Sequence, residues 1–363
     1  MPGFAVYRLP YESHVTLVLQ TEGEPMELSS CTELNGAKGF VVAPFEVRQT
    51  QPILLIRPDK VKTIPVDDIT ESWGQTLDRL TKANQATYLH DPIVGGRRMH
   101  YSIDFANDHS QLDLGTFRKI VLARCSDEET AEPIAPLELF RRACISYPRM
   151  FISMVSTSQS GCWLTATPEI LLEGDGDNHW RTIALAGTMQ LEGEQLNGEG
   201  ENLSWSTKNI QEQRYVATYI AECLEQFTRD FHEEGPYTIR AANLVHLRSD
   251  FTFSLPDRLH IGDLLQALHP TPAVCGLPKR EAFQFIIRNE YTPRRYYSGF
   301  MGMLDAEHQT HLYVSLRCMN IEGNRYHLYA GGGLLKDSTE EQEWQETEAK
   351  LETMRRCIAI KNI

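Results

Sequence analysis

Residues 311–335 read HLYVSLRCMNIEGNRYHLYAGGGLL, and this stretch decides the fold class. The segments His311–Met319 and Arg325–Ala330 are rich in apolar and aromatic residues, which is typical of β-strands. The turn sequence Glu322-Gly323-Asn324 separates them. The pattern predicts two antiparallel strands joined in a hairpin, and therefore a sheet built from hairpins.

The same pattern recurs on both sides of this hairpin, with a second turn at Asp175-Gly176-Asp177-Asn178. Further predicted strands are His14–Gln20, Gly39–Ala43, Ile53–Ile56, Lys119–Cys125, Met150–Val155, Gly161–Ala166 and Thr182–Leu185. Predicted helices cover Ile69–Gln85, Asn209–Arg229, Arg280–Asn289 and Glu340–Ile358. Strands in hairpins with grouped helices favour an α+β fold over a doubly wound parallel sheet.

The predicted elements form one domain over residues 1–363, without internal repeats or a low-complexity linker. Residues 1–109 are an N-terminal sheet-forming part that carries no chemical signature. The segment Gln190–Ser206 is rich in Gly, Glu and Asn, which is typical of a mobile surface loop.

Composition excludes several classes of partner. The formal net charge of -14 repels nucleic acid and anionic lipid, so we expect neither a nucleic-acid nor a membrane partner. No run approaches the length of a membrane span and the start lacks a secretory signal, which predicts a cytoplasmic protein. The eight cysteines form no C-x-x-C pair, so we expect most to be reduced core residues. An anionic substrate would need concentrated positive charge or a metal ion at its site.

Several residues are candidates for chemistry, and each has an ordinary alternative. Lys119 could turn inward, where loss of hydration favours the neutral amine that a general base needs, or reach solvent at the strand end. Glu169 could be a buried acid or a turn carboxylate. Glu343 and Glu346 share a helical face and suit magnesium, although composition alone favours a solvated face. The run Gly331–Gly333 could be an anion-binding nest or a tight turn.

The order of these motifs along the chain is more specific than any one of them. The motifs are Lys119-x-Val-Leu-x-Arg124, Pro168-Glu169-x-Leu171, Ala186-Gly187-Thr188, Lys208-Asn-x-x-Glu212, His246-Leu247, His269-Pro-Thr-Pro-Ala273, and Ala330-Gly-x-Gly333 with Glu343-x-x-Glu-Thr-x-x-Lys350. This series resembles the chorismate-utilising enzymes, which include isochorismate synthase, salicylate synthase and the anthranilate synthase large subunit. The resemblance covers residues 110–358, about two-thirds of the chain, as a chorismate-binding catalytic core. It implies large antiparallel sheets packed as a sandwich with helices outside.

The resemblance also implies roles for individual residues. Lys119 corresponds to the general base that activates water, and Glu169 to the general acid that protonates the departing hydroxyl. Glu212, Glu343 and Glu346 correspond to the residues that hold Mg²⁺. Residues implied to bind the substrate are Gly187, Thr188, His246, Thr271, Ala273, Tyr297, Arg317, Gly331, Gly333 and Lys350.

Within that family, the lysine at 119 and the 269–273 motif favour isochorismate synthase, an isomerase that feeds menaquinone or siderophore synthesis. Salicylate synthase, which goes on to eliminate pyruvate, is the alternative. A catalytically silent relative is a third hypothesis, supported by the departure of Lys208–Gln213 from the usual Lys-Asp-Arg-x-Glu-His. We expect chorismate as the small-molecule partner and a monomer or weak dimer.

Overall fold

The structure is a computed structural model, and it describes residues 1–88, 95–191, 203–241, 244–257 and 260–359, with the side chain of residue 190 left out. The loop predicted over Gln190–Ser206 falls largely on residues 192–202, which lie outside the described residues.

The described residues contain eighteen β-strands and seven α-helices. The strands are β1 Phe4–Arg8, β2 His14–Leu19, β3 Met26–Leu28, β4 Gly39–Ala43, β5 Ile53–Ile56, β6 Lys60–Pro65, β7 Lys119–Glu129, β8 Phe151–Thr157, β9 Gly161–Thr167, β10 Ile170–Gly174, β11 Trp180–Gln190, β12 Phe231–Ala241, β13 Leu244–Phe253, β14 Gly276–Leu277, β15 Phe300–Leu304, β16 Thr310–Val314, β17 Cys318–Glu322 and β18 Arg325–Leu334. The helices are α1 Ile69–Thr87, α2 Arg98–Asp113, α3 Pro136–Ser146, α4 Thr207–Leu224, α5 Ile261–Leu268, α6 Lys279–Asn289 and α7 Glu340–Ala359. Cys31–Leu34 and Val66–Asp68 are short 3₁₀ helices.

The strands form two nine-stranded sheets. The first, sheet A, has the order β14-β7-β18-β17-β9-β8-β1-β2-β6, and the second, sheet B, has the order β12-β13-β11-β10-β16-β15-β4-β5-β3. The paired strands of the described residues are antiparallel. This confirms the predicted α+β class and the hairpins at both predicted turns.

The sheets pack face to face because their strands are apolar on both sides. In β1, Ala5 and Tyr7 belong to the core between the sheets, whereas Phe4 and Val6 face a second core on the outer side of sheet A. Helices α1, α3 and α7 cover that outer face. Helices α4 and α5 cover the outer face of sheet B. The layers therefore run helix, sheet, sheet, helix, in agreement with the sandwich that the resemblance implied.

One predicted strand is wrong in an informative way. His311–Met319 is two strands, because β16 ends at Val314 in sheet B and β17 begins at Cys318 in sheet A. The three residues between them remain hydrogen-bonded: Ser315 N–H donates to Gly299 O at 2.9 Å, and Arg317 O accepts from Ala166 N–H at 3.2 Å. The chain thus crosses between the sheets without losing its strand-like apolar pattern.

Other boundaries also differ from the prediction. The helix predicted to reach Arg229 ends at Leu224, and the strands β12 and β13 were not predicted. Helix α2 was missed because its buried face carries the polar residues Asp104 and Asp108, so it lacks an apolar stripe.

All eight cysteines are free and buried, which confirms their prediction as reduced core residues. Within the described ranges, no helix combines the length and apolar character needed to cross a bilayer.

An aromatic stack is one of the contacts that join the two sheets. Phe151 of sheet A and Tyr313 of sheet B stack with ring centroids 4.2 Å apart and an interplanar angle of 4°. We expect Phe151→Ala to lower the free energy of unfolding by about 3–5 kcal/mol, because it leaves a cavity between two rigid layers.

Urea denaturation measures this loss. Val61→Ala on the edge strand β6, where the side chain is exposed, is the control and should change stability by less than about 0.5 kcal/mol. A cost for Phe151→Ala as small as that of the control would contradict the central role of the stack.

Candidate active site

A polar pocket lies where β7, β11, β13 and β18 meet α4 and α7. Its lining contains eleven of the residues that the sequence singled out, together with seven others. The lining residues are Val121, Pro168, Glu169, Leu185, Ala186, Gly187, Thr188, Glu212, His246, Ala273, Val274, Tyr297, Leu316, Arg317, Ala330, Gly331, Gly333 and Lys350. The cavity has a volume of about 60 Å³.

The glycine run makes room for the charged side chains around the pocket. Gly331–Gly333 lies within β18, so it is neither the tight turn nor the separate nest that the sequence left open. A Cβ at Gly333 would lie 2.1 Å from Glu212 Oε1 and 2.7 Å from Lys119 Cε. A Cβ at Gly332 would lie 3.0 Å from Glu343 Oε2. Any side chain here would therefore push the charged groups apart.

Glu169 is a buried acid and not a turn carboxylate. It follows β9, and its side chain is almost completely buried, with the residue 2% exposed. Burial raises its pKa to about 8, although Lys119, Lys350, Thr271 and Arg317 act in the opposite direction. At neutral pH this carboxyl group therefore holds a proton that it can donate.

Lys119 points inward from the first position of β7 and is 0% exposed. Its Nζ lies 2.9 Å from Glu212 Oε1 as an ion pair, although none of its N–H groups has a partner with good hydrogen-bond geometry. Burial favours a raised pKa for Glu212, but the charges of Lys119, Lys208 and Lys350 outweigh burial and lower it. Glu212 is therefore a buried carboxylate.

Gly187 orients this carboxylate. The register of β11 against β13 shifts between Ala186 and Thr188, and Gly187 adopts φ +67° at the resulting bulge. Its N–H donates to Glu212 Oε2 at 3.2 Å. A side chain at this position would combine a disfavoured backbone conformation with a contact of 3.1 Å to Asn209 O.

Arg317 enters the pocket from the crossing between the sheets, where its φ of +48° is unusual for a side chain of this size. Burial lowers its pKa to about 10, so it stays charged at neutral pH. Its Nη2 lies 2.6 Å from His246 Nε2.

His246 is an acceptor for this arginine. Burial and the charges of Arg317 and Lys350 lower its pKa well below the usual value, so the ring is neutral. Its Nδ1 lies 3.2 Å from Gly187 O and 3.4 Å from Thr188 Oγ1. Only the tautomer with the proton on Nδ1 satisfies both ring nitrogens, because the carbonyl needs a donor and the guanidinium needs an acceptor.

The face of α7 that carries Glu343 and Glu346 turns toward the protein, contrary to the solvated face that composition alone favoured. Glu343 is 1% exposed, and its Oε1 pairs with Lys208 and accepts from Ser338 Oγ at 2.7 Å. Burial and the nearby charge of Glu346 raise the pKa of Glu343 to about 6. Glu346 pairs with Lys350 Nζ at 2.7 Å, and Lys350 also donates to Gly331 O at 2.8 Å.

The acidic residues fit a hard cation in chemistry. Among the residues that the structure describes, the buried Glu343 Oε2 has no hydrogen-bond partner. A Cβ at Gly332 would lie 3.0 Å from Glu343 Oε2 and 3.5 Å from Glu346 Oε1, so both oxygens lie near the same point of β18. Carboxylate oxygens are the donors that Mg²⁺ prefers. Each of the three carboxylates nevertheless has a lysine partner, and they do not converge as tightly as a ligand set would.

A different group does converge within the described part of the chain. One ligand atom each of Cys125, Asp127 and His327 lie within 4.8 Å of one another, outside the pocket. His327 Nδ1 is 2.7 Å from Asp127 Oδ1, and its Nε2 is 3.6 Å from Glu322 Oε2. Burial raises the pKa of the Cys125 thiol. The arrangement is an imidazole held between two carboxylates beside a core thiol, with donors that do not suit Mg²⁺.

Eleven of the fifteen predicted site residues line the pocket, whereas Lys119, Thr271, Glu343 and Glu346 do not. Thr271 is buried near Glu169 but does not line the pocket, and Tyr297 lies with its ring beside Gly331. Sequence reasoning missed Lys208 as a member of the charged group. Its spacing gave a usable signal, because Lys208 and Glu212 are four residues apart and share one face of α4.

Comparison with known proteins agrees with this geometry. Residues 59–359 match the family described as chorismate binding enzyme. The chain belongs to the chorismate-binding enzyme family. Isochorismate synthase DhbC of Bacillus subtilis is 33% identical over 341 residues, which is 90% of this chain and 82% of DhbC. Isochorismate synthase EntC of Escherichia coli is 31% identical over 239 residues, which is 65% of this chain, and the match spans 61% of EntC.

A solved structure supports the same fold. MenF, described as the menaquinone-specific isochorismate synthase from Escherichia coli, superposes with a TM-score of 0.78 over 99% of this chain and 89% of MenF, at 24% identity. The superposition shows the fold, and the family match over residues 59–359 confirms the family membership expected from the motifs.

The buried acid predicts a pH dependence of stability in this chorismate-binding enzyme. Folded Glu169 keeps its proton up to a pKa of about 8, whereas the unfolded chain loses it near the ordinary value of 4.5. The stability from that proton is complete at acid pH and is lost as the pH rises through about 8. Glu169→Gln does not titrate, so its stability should exceed that of the wild type by an amount that grows with pH.

Urea unfolding at a series of pH values measures the difference. Glu212→Gln is the contrast, because the lowered pKa of Glu212 means that its charge contributes stability above the ordinary pKa. This variant should lose stability at pH values where Glu169→Gln gains it. Parallel pH profiles for wild type and Glu169→Gln would contradict the protonated state of the acid.

Proposed function

We propose that this chain is an isochorismate synthase, which converts chorismate to isochorismate by adding water at C2 and expelling the C4 hydroxyl. The observation that carries the proposal is a protonated, buried acid, Glu169, on a pocket whose wall at Gly333 borders the buried side chain of Lys119. The names of DhbC and EntC support the same activity.

In the proposed reaction, Lys119 first loses to solvent the proton that it holds in the ion pair with Glu212. The neutral amine then accepts a proton from water as the water oxygen bonds to C2. The ring double bonds shift by one position each, from C1=C2 and C5=C6 to C1=C6 and C4=C5. The C4–O bond breaks, and Glu169 donates its proton to the departing hydroxyl, which leaves as water. One water enters and one leaves, so the net reaction is an isomerisation. Return of a proton from Lys119 to Glu169 through solvent resets the site.

Chorismate is a dianion, so an acidic protein needs local positive charge to bind it. Arg317 is suited to one carboxylate, because its planar fork forms paired hydrogen bonds and His246 fixes its position. Lys350 is a further cation on the same wall. Thr188, Tyr297 and Ala273 would shape the ring site, with the backbone of Gly187, Gly331 and Gly333 available at close range.

The second carboxylate needs a different partner, and we propose Mg²⁺ held by Glu212, Glu343 and Glu346. Two features support a cation there: Oε2 of Glu343 has no hydrogen-bond partner among the described residues, and burial together with repulsion from Glu346 raises the pKa of Glu343. Bound Mg²⁺ would supply charge screening for the ring carboxylate and would weaken the hold of Glu212 on the Lys119 proton. The residues of the chain would still perform both proton transfers.

The fate of the product and the setting of the enzyme belong to the same proposal. Isochorismate would feed menaquinone or siderophore synthesis. Eight free cysteines are consistent with a reducing compartment, and we propose the cytoplasm. The monomer or weak dimer and the division at residue 110 stay predictions.

The test is an assay with chorismate and Mg²⁺, with products separated by chromatography. We expect isochorismate without pyruvate, and activity should decline as the pH rises above about 8, where Glu169 loses its proton. Pyruvate together with salicylate would identify a salicylate synthase, and no turnover would identify a silent relative.

Lys119→Ala and Glu169→Gln should each lower kcat by at least about 100-fold, because each removes one proton-transfer group. Lys62→Gln, an exposed lysine on the far edge strand of sheet A, is the control for a change of charge and should retain activity. Circular dichroism checks that the variants are folded. Near-normal kcat for either site variant would remove the role assigned to it.

A further inference from the structure

The three carboxylates proposed to hold the metal each have their own lysine. Lys119 pairs with Glu212, Lys208 with Glu343, and Lys350 with Glu346. The cluster of three acids and three lysines is therefore close to neutral before any metal enters. A divalent cation must compete with the ammonium groups for the carboxylates, and each ammonium that stays repels it.

The three lysines differ in how freely they can leave. Lys119 has no exposed surface, and the mechanism proposed above needs it in place. Lys350 is anchored twice, at Glu346 and at the carbonyl of Gly331. Among the described residues, the Lys208 ammonium donates a hydrogen bond only to Glu343, and the Lys208 side chain is 26% exposed. Lys208 is therefore the lysine with both the weakest anchoring and a path to water.

The position of Lys208 in the fold favours such a movement. It is the second residue of α4, directly after the helix cap at Ser206, so its long side chain starts at a helix end. Burial lowers the pKa of Lys208, but the charges of Glu343, Glu346 and Glu212 outweigh burial and raise it, and the Lys208 ammonium pairs directly with Glu343 Oε1. Glu343 itself offers one oxygen to Lys208 and keeps the other buried without a partner.

We propose that Lys208 is a built-in competitor for the metal: it holds Glu343 while no divalent cation is bound, swings to solvent when one binds, and so sets the cation concentration at which the site fills. This inference rests on the proposed function, because it assumes that Glu343 is a metal ligand. Lys208 would regulate metal binding, although it has no role in the proposed reaction itself.

The competing explanation is that Lys208 orients Glu343 for the metal. The two explanations predict opposite signs for removal of the lysine. A competitor, once removed, leaves a more negative site that binds the cation more tightly. An orienting residue, once removed, leaves a less ordered carboxylate that binds more weakly.

The experiment is calorimetric titration of Mg²⁺ into the full chain without chorismate, repeated with Mn²⁺ by electron paramagnetic resonance. We expect Lys208→Gln to lower Kd by about ten-fold or more, because one unit charge near the ion is removed from a largely buried site. Lys208→Arg keeps the charge and should stay within about three-fold of the wild type. Lys62→Gln removes one positive charge far from the site and should leave Kd unchanged.

An unchanged or higher Kd for Lys208→Gln would overturn the proposal, as would the absence of metal binding in both proteins. The chorismate assay is read separately. Tighter metal binding in Lys208→Gln without isochorismate production by the wild type would uphold the competitor and reject the proposed function. Isochorismate production by the wild type, with an unchanged Kd in Lys208→Gln, would uphold the proposed function and reject the competitor.

Discussion

The arrangement of the site depends on the absence of side chains along Gly331–Gly333. A charged cluster can be buried only if its members touch one another, because an isolated buried charge costs far more than a paired one. The glycines let Glu212 and Lys119 approach one face of β18, and they leave space for Glu343 near the backbone. Even a methyl group at residue 333 would overlap Glu212. Close contact between α4, α7 and the sheet follows from this one steric fact.

The charged cluster also reconciles an acidic protein with an anionic ligand. The chain carries a net charge of -14, yet its pocket gathers Arg317 and Lys350 on the wall and Lys119 and Lys208 close behind it. Their effect is local, because salt screens the distant acidic surface over about 10 Å whereas buried pairs are screened far less. Neutral His246 contributes by accepting from Arg317, which keeps the guanidinium in place without cancelling its charge.

Much of the site could be predicted from the sequence because its residues lie in short motifs that can be identified without a structure. Lys119, Glu169 and Arg317 were each named from short segments, although their proximity depends on strands far apart in the chain. The sequence could not show that the apolar run through Arg317 changes sheets, because a strand pattern looks the same on either side of a crossing. Helix α2 was not predicted because Asp104 and Asp108 occupy its buried face and interrupt the apolar pattern. The place of Lys208 in the charged group was not predicted, because a lysine near a helix start usually faces solvent.

The crossing at 315–317 is one of six, since the chain also passes between the sheets at β2–β3, β5–β6, β9–β10, β13–β14 and β14–β15. Sheet A needs both Phe4–Arg8 and Arg325–Leu334. During synthesis, neither layer can therefore be completed until most of the chain has left the ribosome, and the early strands must wait with open edges. Such long-range pairing slows folding and exposes strand edges to other chains, which makes this architecture one that benefits from chaperones.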